Sequence, residues 1–417
     1  MRTLRLPLYF AAAACMLPPL SSAQHAPTVP IAQAPSAPAA PTLRALVDAA
    51  WQRSPLAQTL TARRHETAAS RDLAASWLAA APTLGVSERS DRWTDRRNAR
   101  ETELSLSAPI VLPGQHGARR RVAERADEEL DAQLLHARLA IAGEVRSRLW
   151  EAAAAREVLA EKRDHLHHME ELADDVDRRV KAGDLARSDA LLAKQEVLAA
   201  TTDLALARGR AGEALARFRL LTGASALPDI EPEPLPAEST ATDHARLRAA
   251  QAAQTRARAA VELASASRQA APTVALSMRR ERDGIVPGAD RSIGIALQIP
   301  LSGKLRNRPA EALAGTQLAA ASAELVQTQA IVDSDLALAQ DQLTNARAAL
   351  DAATARAAAL REHTTLFEHA FRQGEKPLAD LLRSRALTHE AEVALRQQRI
   401  ALALAHSQMN QASGILP

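Results

Sequence analysis

The sequence predicts a mainly α fold with a small β portion, in which one unit of long coiled-coil helices and two strands is used twice. Three observations carry that prediction. Landmarks recur at an offset of about 190 residues: Ala81-Pro82-Thr83-Leu84-Gly85-Val86-Ser87 returns as Ala271-Pro272-Thr273-Val274-Ala275-Leu276-Ser277, and Pro109, Gly183 and Gly223 return as Pro300, Gly374 and Gly414. Ala, Leu, Arg, Glu and Gln dominate nearly everywhere, the composition of long helices. Alternation with period two is confined to four short stretches.

The elements follow in order. Residues 1–23 read as a secretory signal: Met1 to Arg5 is basic, Leu6 to Leu20 is apolar, and Ser21-Ser22-Ala23 is a small-residue cleavage site. Cys15 is the only cysteine and lies inside it, so export leaves no disulfide; the rival reading makes Cys15 a lipid anchor after Ala12-Ala13-Ala14. Residues 24–41 form an Ala/Pro-rich linker. A first repeat is expected at 42–223: a rod from Leu43 to Ala80, strands at about 83–89 and 102–110, a long helix from near Ala118, a turn at Gly183, and a helix from Leu185 to Leu221. The long helix meets no break before Gly183, which makes a rod of roughly 95 Å at 1.5 Å per residue. After a linker at 224–241, the second repeat at 242–417 offers a helix from about Thr242 to Gln269 and strands at about 273–279 and 292–299. It continues with a helix from Ala310 to Arg372, a turn at Gly374, and a helix from Pro377 to Ala412. Leu336, Ala339, Leu343, Ala346, Leu350, Ala353, Ala357, Leu360, Phe367 and Phe371 step by threes and fours, with Thr364 polar, and form a coiled-coil seam.

The net charge of +3 is small for 417 residues and both signs are interspersed, so nothing in the charge pattern asks for nucleic acid. Beyond the signal no apolar run is long enough for a spanning helix, so a membrane could be crossed only with strands. Leu84, Val86, Leu104, Leu106, Ala108 and Ile110 alternate with small or polar residues, as do Val274, Leu276, Met278, Ile293, Ile295, Leu297 and Ile299. That pattern suits a half-buried soluble sheet or a barrel with lipid outside and water inside. Topology favours the barrel, since a hairpin set between two long rods cannot cover its own edges. Membrane barrels begin at eight strands, so closure needs several chains; three copies give a trimeric 12-stranded transmembrane β-barrel continued by an α-barrel of helices. The charged connections Ser90 to Arg100 and Arg282 to Asp290 then sit outside the cell. A soluble periplasmic coiled-coil scaffold is the alternative from a different class, and the scarcity of aromatics (four Trp, one Tyr, four Phe) is its best support.

Four groups of residues stand out in order: Leu43 to Pro55; Ala108-Pro109 to Gly114 with its echo Gln298 to Gly303; Arg179 to Leu185 followed by Asp189; and Phe371 to Glu375 followed by Asp380. Together they resemble the TolC-like outer membrane efflux proteins, and within them the shorter metal-efflux branch typified by CzcC and CusC. The resemblance implies a homotrimeric passive conduit in the cell outer membrane with a large periplasmic helical portion. It would be surrounded by outer membrane lipid and docked on a periplasmic adaptor (membrane fusion) protein and a proton-driven inner-membrane pump. Heavy-metal cations or small toxic compounds would be the cargo; the runner-up is the exit duct of a type I protein secretion system. No enzyme chemistry, cofactor or metal site is expected, for the chain carries no nucleotide loop or nucleophile elbow. His165, His167 and His168 sit near Glu161 and Glu171, but one helix offers only two ligands at a time.

The resemblance also implies a periplasmic gate just past the second turn. Asp380 matches one of the family's two acidic positions, whereas Arg383 stands at the other. Asp189 is the first-repeat equivalent of Asp380, and Lys376 is the basic residue that the family pairs with it in the closed state; Phe371 completes the expected gate. Ala182, Gly183, Asp184, Leu185, Gly374, Glu375 and Leu378 are the expected adaptor contacts.

Overall fold

The computed structural model describes residues 42–93, 99–228, 231–235, 243–283, 288–301 and 304–417. The expected signal at 1–23, with Cys15, and the linker at 24–41 lie outside the described residues. The elements run α1 (Leu43–Arg53), α2 (Pro55–Ala75), β1 (Thr83–Ser90), β2 (Arg100–Pro109), α3 (Pro113–Ala182) and α4 (Arg187–Thr222). They repeat as α5 (Ala245–Ala266), β3 (Thr273–Arg282), β4 (Asp290–Gln298), α6 (Lys304–Arg372) and α7 (Leu378–Ala412). All belong to the unit Ala40–Pro417. Among the described residues no helix is long and apolar enough to cross a membrane.

The two rods dominate. α3 has 70 residues and α6 has 69, so each runs about 105 Å. Each ends where only glycine is unstrained: Gly183 has φ 88° and Gly374 has φ 78°. In both turns the glycine N–H and the next N–H reach back to free carbonyls of the last helical turn: Gly183 to Val180, Asp184 to Arg179, Gly374 to Phe371 and Glu375 to Ala370. Identical chemistry at both ends follows from the duplication.

Several boundaries differ from expectation, each for a local reason. The rod from Leu43 breaks into α1 and α2 at Ser54, whose N–H caps α1 through Trp51 and whose hydroxyl accepts from Ala57 at the start of α2. Pro55, at the first helical position, fixes the restart. α3 begins five residues before Ala118, again with proline in its first turn. α6 runs through Pro309, which leaves only the Leu305 carbonyl without its helical donor, at an exposed first turn. The strands extend further toward their hairpin tips than period two alone indicated, because cross-strand charge pairs such as Arg100 with Glu88 and Arg279 with Glu101 replace apolar contacts there.

The four strands form one antiparallel sheet in the order β1-β2-β3-β4. α3 lies at the centre of the helical layer, packed on α1, α2, α4, α5 and α7, whereas among the described residues α6 packs chiefly on α5 and α7. The layer therefore ends in α2 and α4 on one side and in α6 on the other. At the far end, Met169, Leu172, Val176, Ala193, Phe371, Leu378 and Leu381 form a core shared by α3, α4, α6 and α7. Midway, the segment joining the repeats is clamped by Arg146, only 2% exposed, which donates to both carboxylate oxygens of Glu233 at 2.9 and 2.6 Å, to Gln411 Oε1 at 2.7 Å and to the Ile415 carbonyl at 3.1 Å. Ser407 donates to the same carboxylate at 2.7 Å and accepts from the Trp150 indole at 2.9 Å. Every hydrogen-bonding group of this buried ion pair is engaged, so removing one partner strands the other in the interior.

Candidate functional site

The sheet has two chemically opposite faces. Its register aligns Leu84, Leu106, Leu276 and Ile295 in one row, and Val86, Leu104, Met278 and Ile293 in the next. All eight side chains are exposed in the single chain. Between these rows the opposite face carries Gly85, Ser105, Ser277 and Gly294. A Cβ at Gly85 or Gly294 would come within 2.7 or 2.9 Å of the facing serine hydroxyl, so both positions must stay small as the wall curves. Nearer the hairpin tips this face turns charged: Glu101, Glu103, Glu281 and Asp290 are set against Arg89 and Arg279. Arg279 lies 2.8 Å from Glu101 and 3.2 Å from Glu281, while Glu103 and Asp290 have no basic partner among the described residues. A continuous apolar face backed by small and acidic residues is a lipid-facing wall around a wet duct.

At the opposite end of the rods lie the expected gate and docking residues. Asp189 and Asp380 occupy equivalent positions, the third residue of α4 and of α7. Asp189 Oδ2 accepts from the Ala186 N–H at 3.2 Å, so it caps its own helix, and both carboxylates sit favourably at the positive end of a helix dipole. Lys376 Nζ lies over the Phe367 ring, 5.5 Å from its centroid, and the Arg179 guanidinium lies 5.1 Å from the Phe371 centroid. Within one protomer Asp189 and Lys376 form no ion pair among the described residues, and Arg383 is exposed. Phe371 and Leu378, expected to line the gate and to meet the adaptor, are instead buried in the shared core, because each is the apolar residue flanking the turn that the four helices close over. Ala182, Gly183, Asp184, Gly374 and Glu375 are exposed, and Leu185 is half-buried.

Residues 35–224 match the family model described as outer membrane efflux protein. That match spans the first repeat. Solved structures share its fold at low sequence identity. The CusC transmembrane channel gives a TM-score of 0.75 with 14% identity over 90% of this chain and 92% of that one. VceC of Vibrio cholerae gives 0.74 with 15% identity over 89% and 96%. The CmeC outer membrane channel of Campylobacter jejuni gives 0.71 with 16% identity over 89% and 85%. No curated protein matches the chain.

The match over the first repeat and the channel fold shared over the whole length together support a channel component of tripartite efflux rather than an enzyme, with strands in the outer membrane and rods on the periplasmic side. The same findings speak against the soluble-scaffold alternative. The orientation sends the hairpin tips outward and the glycine turns into the periplasm. Of the histidines, His167 lies 3.4 Å from Glu171 on the surface, and His165 stacks on His389 with ring centroids 3.7 Å apart. Among the described residues no cluster of three metal ligands forms. His389 instead contacts Glu161, which is 4% exposed and lines a cleft of about 470 Å³ among α3, α6 and α7. Burial pushes the Glu161 carboxyl up to about 7 and His389 down to about 3, so in mildly acidic solution Glu161 keeps its proton beside a neutral imidazole.

Sequence reasoning missed Trp77, which is exposed just before β1 and stacks on His116 with centroids 4.1 Å apart. Its carbonyl accepts from the Val111 N–H at 2.8 Å, which ties it to the foot of the sheet, where an aromatic anchors a barrel at the membrane interface. A tryptophan between a helix and the first alternating run was the available signal.

Proposed function

We propose that three copies of this chain close head to tail into one duct that carries cationic cargo, heavy-metal cations or small toxic cations, outward from a periplasmic adaptor and an inner-membrane pump. One observation carries the stoichiometry: the duplication makes the chain's internal seam a template for the seam between chains. Inside the chain, β2 of the first repeat pairs with β3 of the second, and α3 packs on α5 and α7. The equivalent partners across a chain boundary are β4 with β1, and α6 with α2 and α4 of the next copy. Those are the elements that end the sheet and the layer. A heterologous contact of this kind closes into a ring or runs on as a fibre, and six repeats of two strands give the twelve-stranded barrel that fits the family.

The cationic cargo is supported by the duct face. Its charged rows hold four acids against two arginines in each chain, a fixed excess of negative charge at the outer mouth. The gate and adaptor assignments are part of the same proposal. The exposed turn residues Ala182, Gly183, Asp184, Gly374 and Glu375, with half-buried Leu185, are the docking tips. Asp189, Lys376, Asp380 and Arg383 surround the narrow end, with any Asp189 to Lys376 link formed between copies. Detergent extraction of the outer membrane followed by native mass measurement and planar-bilayer recording tests the reading. A trimer whose reversal potential in a KCl gradient favours potassium, and whose preference falls in Glu103→Gln, supports it. A monomer, or an anion-selective pore, contradicts it.

A further inference from the structure

The apolar face of the sheet does not end at the hairpin tips; it changes character. Two residues beyond Met278 and Ile293 on the same face, about 7 Å further along each strand, stand Arg280 and Arg291, and one row higher stand Arg100 and Arg282. Arg280 is the direct cross-strand partner of Arg291, and Arg100 of Arg282. Like charges set directly opposite each other destabilise a sheet, and for arginines an anion bound beside them would offset that cost. Arg100 has a neighbouring carboxylate in Glu88. Arg280, Arg282 and Arg291 are exposed and have no acidic partner among the described residues. The acids on these strands have not vanished: Glu101, Glu103, Glu281 and Asp290 all point the other way, into the duct. Charge is therefore biased by face: the inward rows carry four acids against Arg89 and Arg279, and the outward rows carry four arginines against Glu88 alone.

We propose that this outward arginine row binds phosphate-bearing lipid headgroups of the outer leaflet. Continuity argues for a lipid occupant, since the row sits on the lipid-facing wall directly above its apolar rows, at the depth where hydrocarbon gives way to headgroups. Chemistry argues for phosphate, because paired guanidiniums present forked donors that match phosphate oxygens. Three copies would repeat the row around the rim and tie the barrel to the leaflet at a fixed height. The inference rests on the closed barrel proposed above, for only then does this face meet lipid.

The test uses the full chain, purified in detergent as the intact oligomer and checked by its native mass before lipid is added. It is titrated with lipid A bearing two phosphates, with the same lipid after dephosphorylation, and with inorganic phosphate as competitor, and bound lipid is counted by native mass spectrometry. The wild type should hold the phosphorylated lipid about tenfold more tightly than the dephosphorylated one. The variant Arg280→Gln/Arg282→Gln/Arg291→Gln should bind both alike, and the duct-facing Arg279→Gln should behave as wild type. Equal binding of both lipids by the wild type, undiminished preference in the triple variant, or displacement of lipid A by equimolar inorganic phosphate would overturn the assignment. Should the triple variant fail to assemble, Arg280→Gln alone serves in its place. A protein that is monomeric before titration refutes the closed barrel instead, so the two failures are distinguishable.

Discussion

Ile110 and Leu301 occupy equivalent places just past the second strand of each repeat, yet Ile110 is 37% exposed and Leu301 is 99% exposed. The N–H of Ile110 donates to the Pro272 carbonyl at 2.8 Å, and its strand runs on into a bridge with Leu78. The repeat equivalent of Pro272 is Pro82, on the far side of the sheet, where Leu301 of the same chain does not reach it. The same contrast runs along the strands: Leu106 is 50% exposed and its equivalent Leu297 is 60% exposed on the free edge. One seam is closed within the chain and the other is left open, although both are written in nearly the same residues. The open seam is the pair of sheet edges, β1 with Leu84 and Val86 at 69% and 70% exposed and β4 with Ile293 and Ile295 at 73% and 81%.

The largest expected effect breaks the closed seam. Arg146→Ala leaves Glu233 buried without its partner, and chemical unfolding of the extracted protein should show a loss of about 3–5 kcal/mol. The next distinguishes the seams by placing the same charge at equivalent sites. Ile110→Asp should lower stability whether or not the chain assembles. Leu301→Asp should leave the unfolding of a single chain unchanged and cost the oligomer about 2–3 kcal/mol, read as trimer dissociation on a heat-modifiable gel.

A smaller effect belongs to the contact of α3 with α7 inside the closed seam. Glu161 holds its proton to higher pH when folded than when unfolded, so its favourable contribution is complete below about pH 4.5 and is lost as pH rises through about 7. Glu161→Gln keeps a neutral hydrogen-bonding group there. Its thermal midpoint should equal wild type near pH 4.5 and exceed it progressively toward pH 8, where the gap in stability reaches about 3 kcal/mol. His389 runs opposite, contributing above its unfolded value near 6.5 and losing that contribution as pH falls toward about 3, so His389→Gln should flatten the acid side. The smallest effect sharpens the open seam at its tip: Lys376→Glu should change stability by under about 1 kcal/mol, because the side chain is exposed, while raising single-channel conductance if the link to Asp189 forms between copies. Unchanged conductance would remove Lys376 from the gate.

Much of the fold was legible because it rests on strong periodic signals. The doubled landmarks, the three-four seam of α6 and the two-residue alternation of the strands each report one burial pattern repeated over many residues. The break at Ser54 was less visible, since Ser-Pro starts a helix as readily as it ends one. The Arg146 clamp was not legible at all: it joins α3, the segment between repeats and the C-terminal residues, and no local pattern links positions 146, 233 and 411. At the tip the resemblance supplied roles that one protomer does not show. Asp189 caps α4, and Phe371 and Leu378 serve the core, because helix ends impose their own demands on whatever side chains stand there.

The central claim is that the open seam copies the closed one, and it predicts a register. Leu106 pairs with Leu276 inside the chain. Their repeat equivalents, Leu297 on β4 and Val86 on β1, should meet across the boundary between copies. The only natural cysteine is Cys15, within the expected signal, so Val86→Cys/Leu297→Cys gives a clean pair for a short bis-thiol cross-linker applied to outer membranes. The account predicts a ladder ending at three chains for the double variant and none for either single one. Cross-links confined to one chain, or none at all, would contradict it.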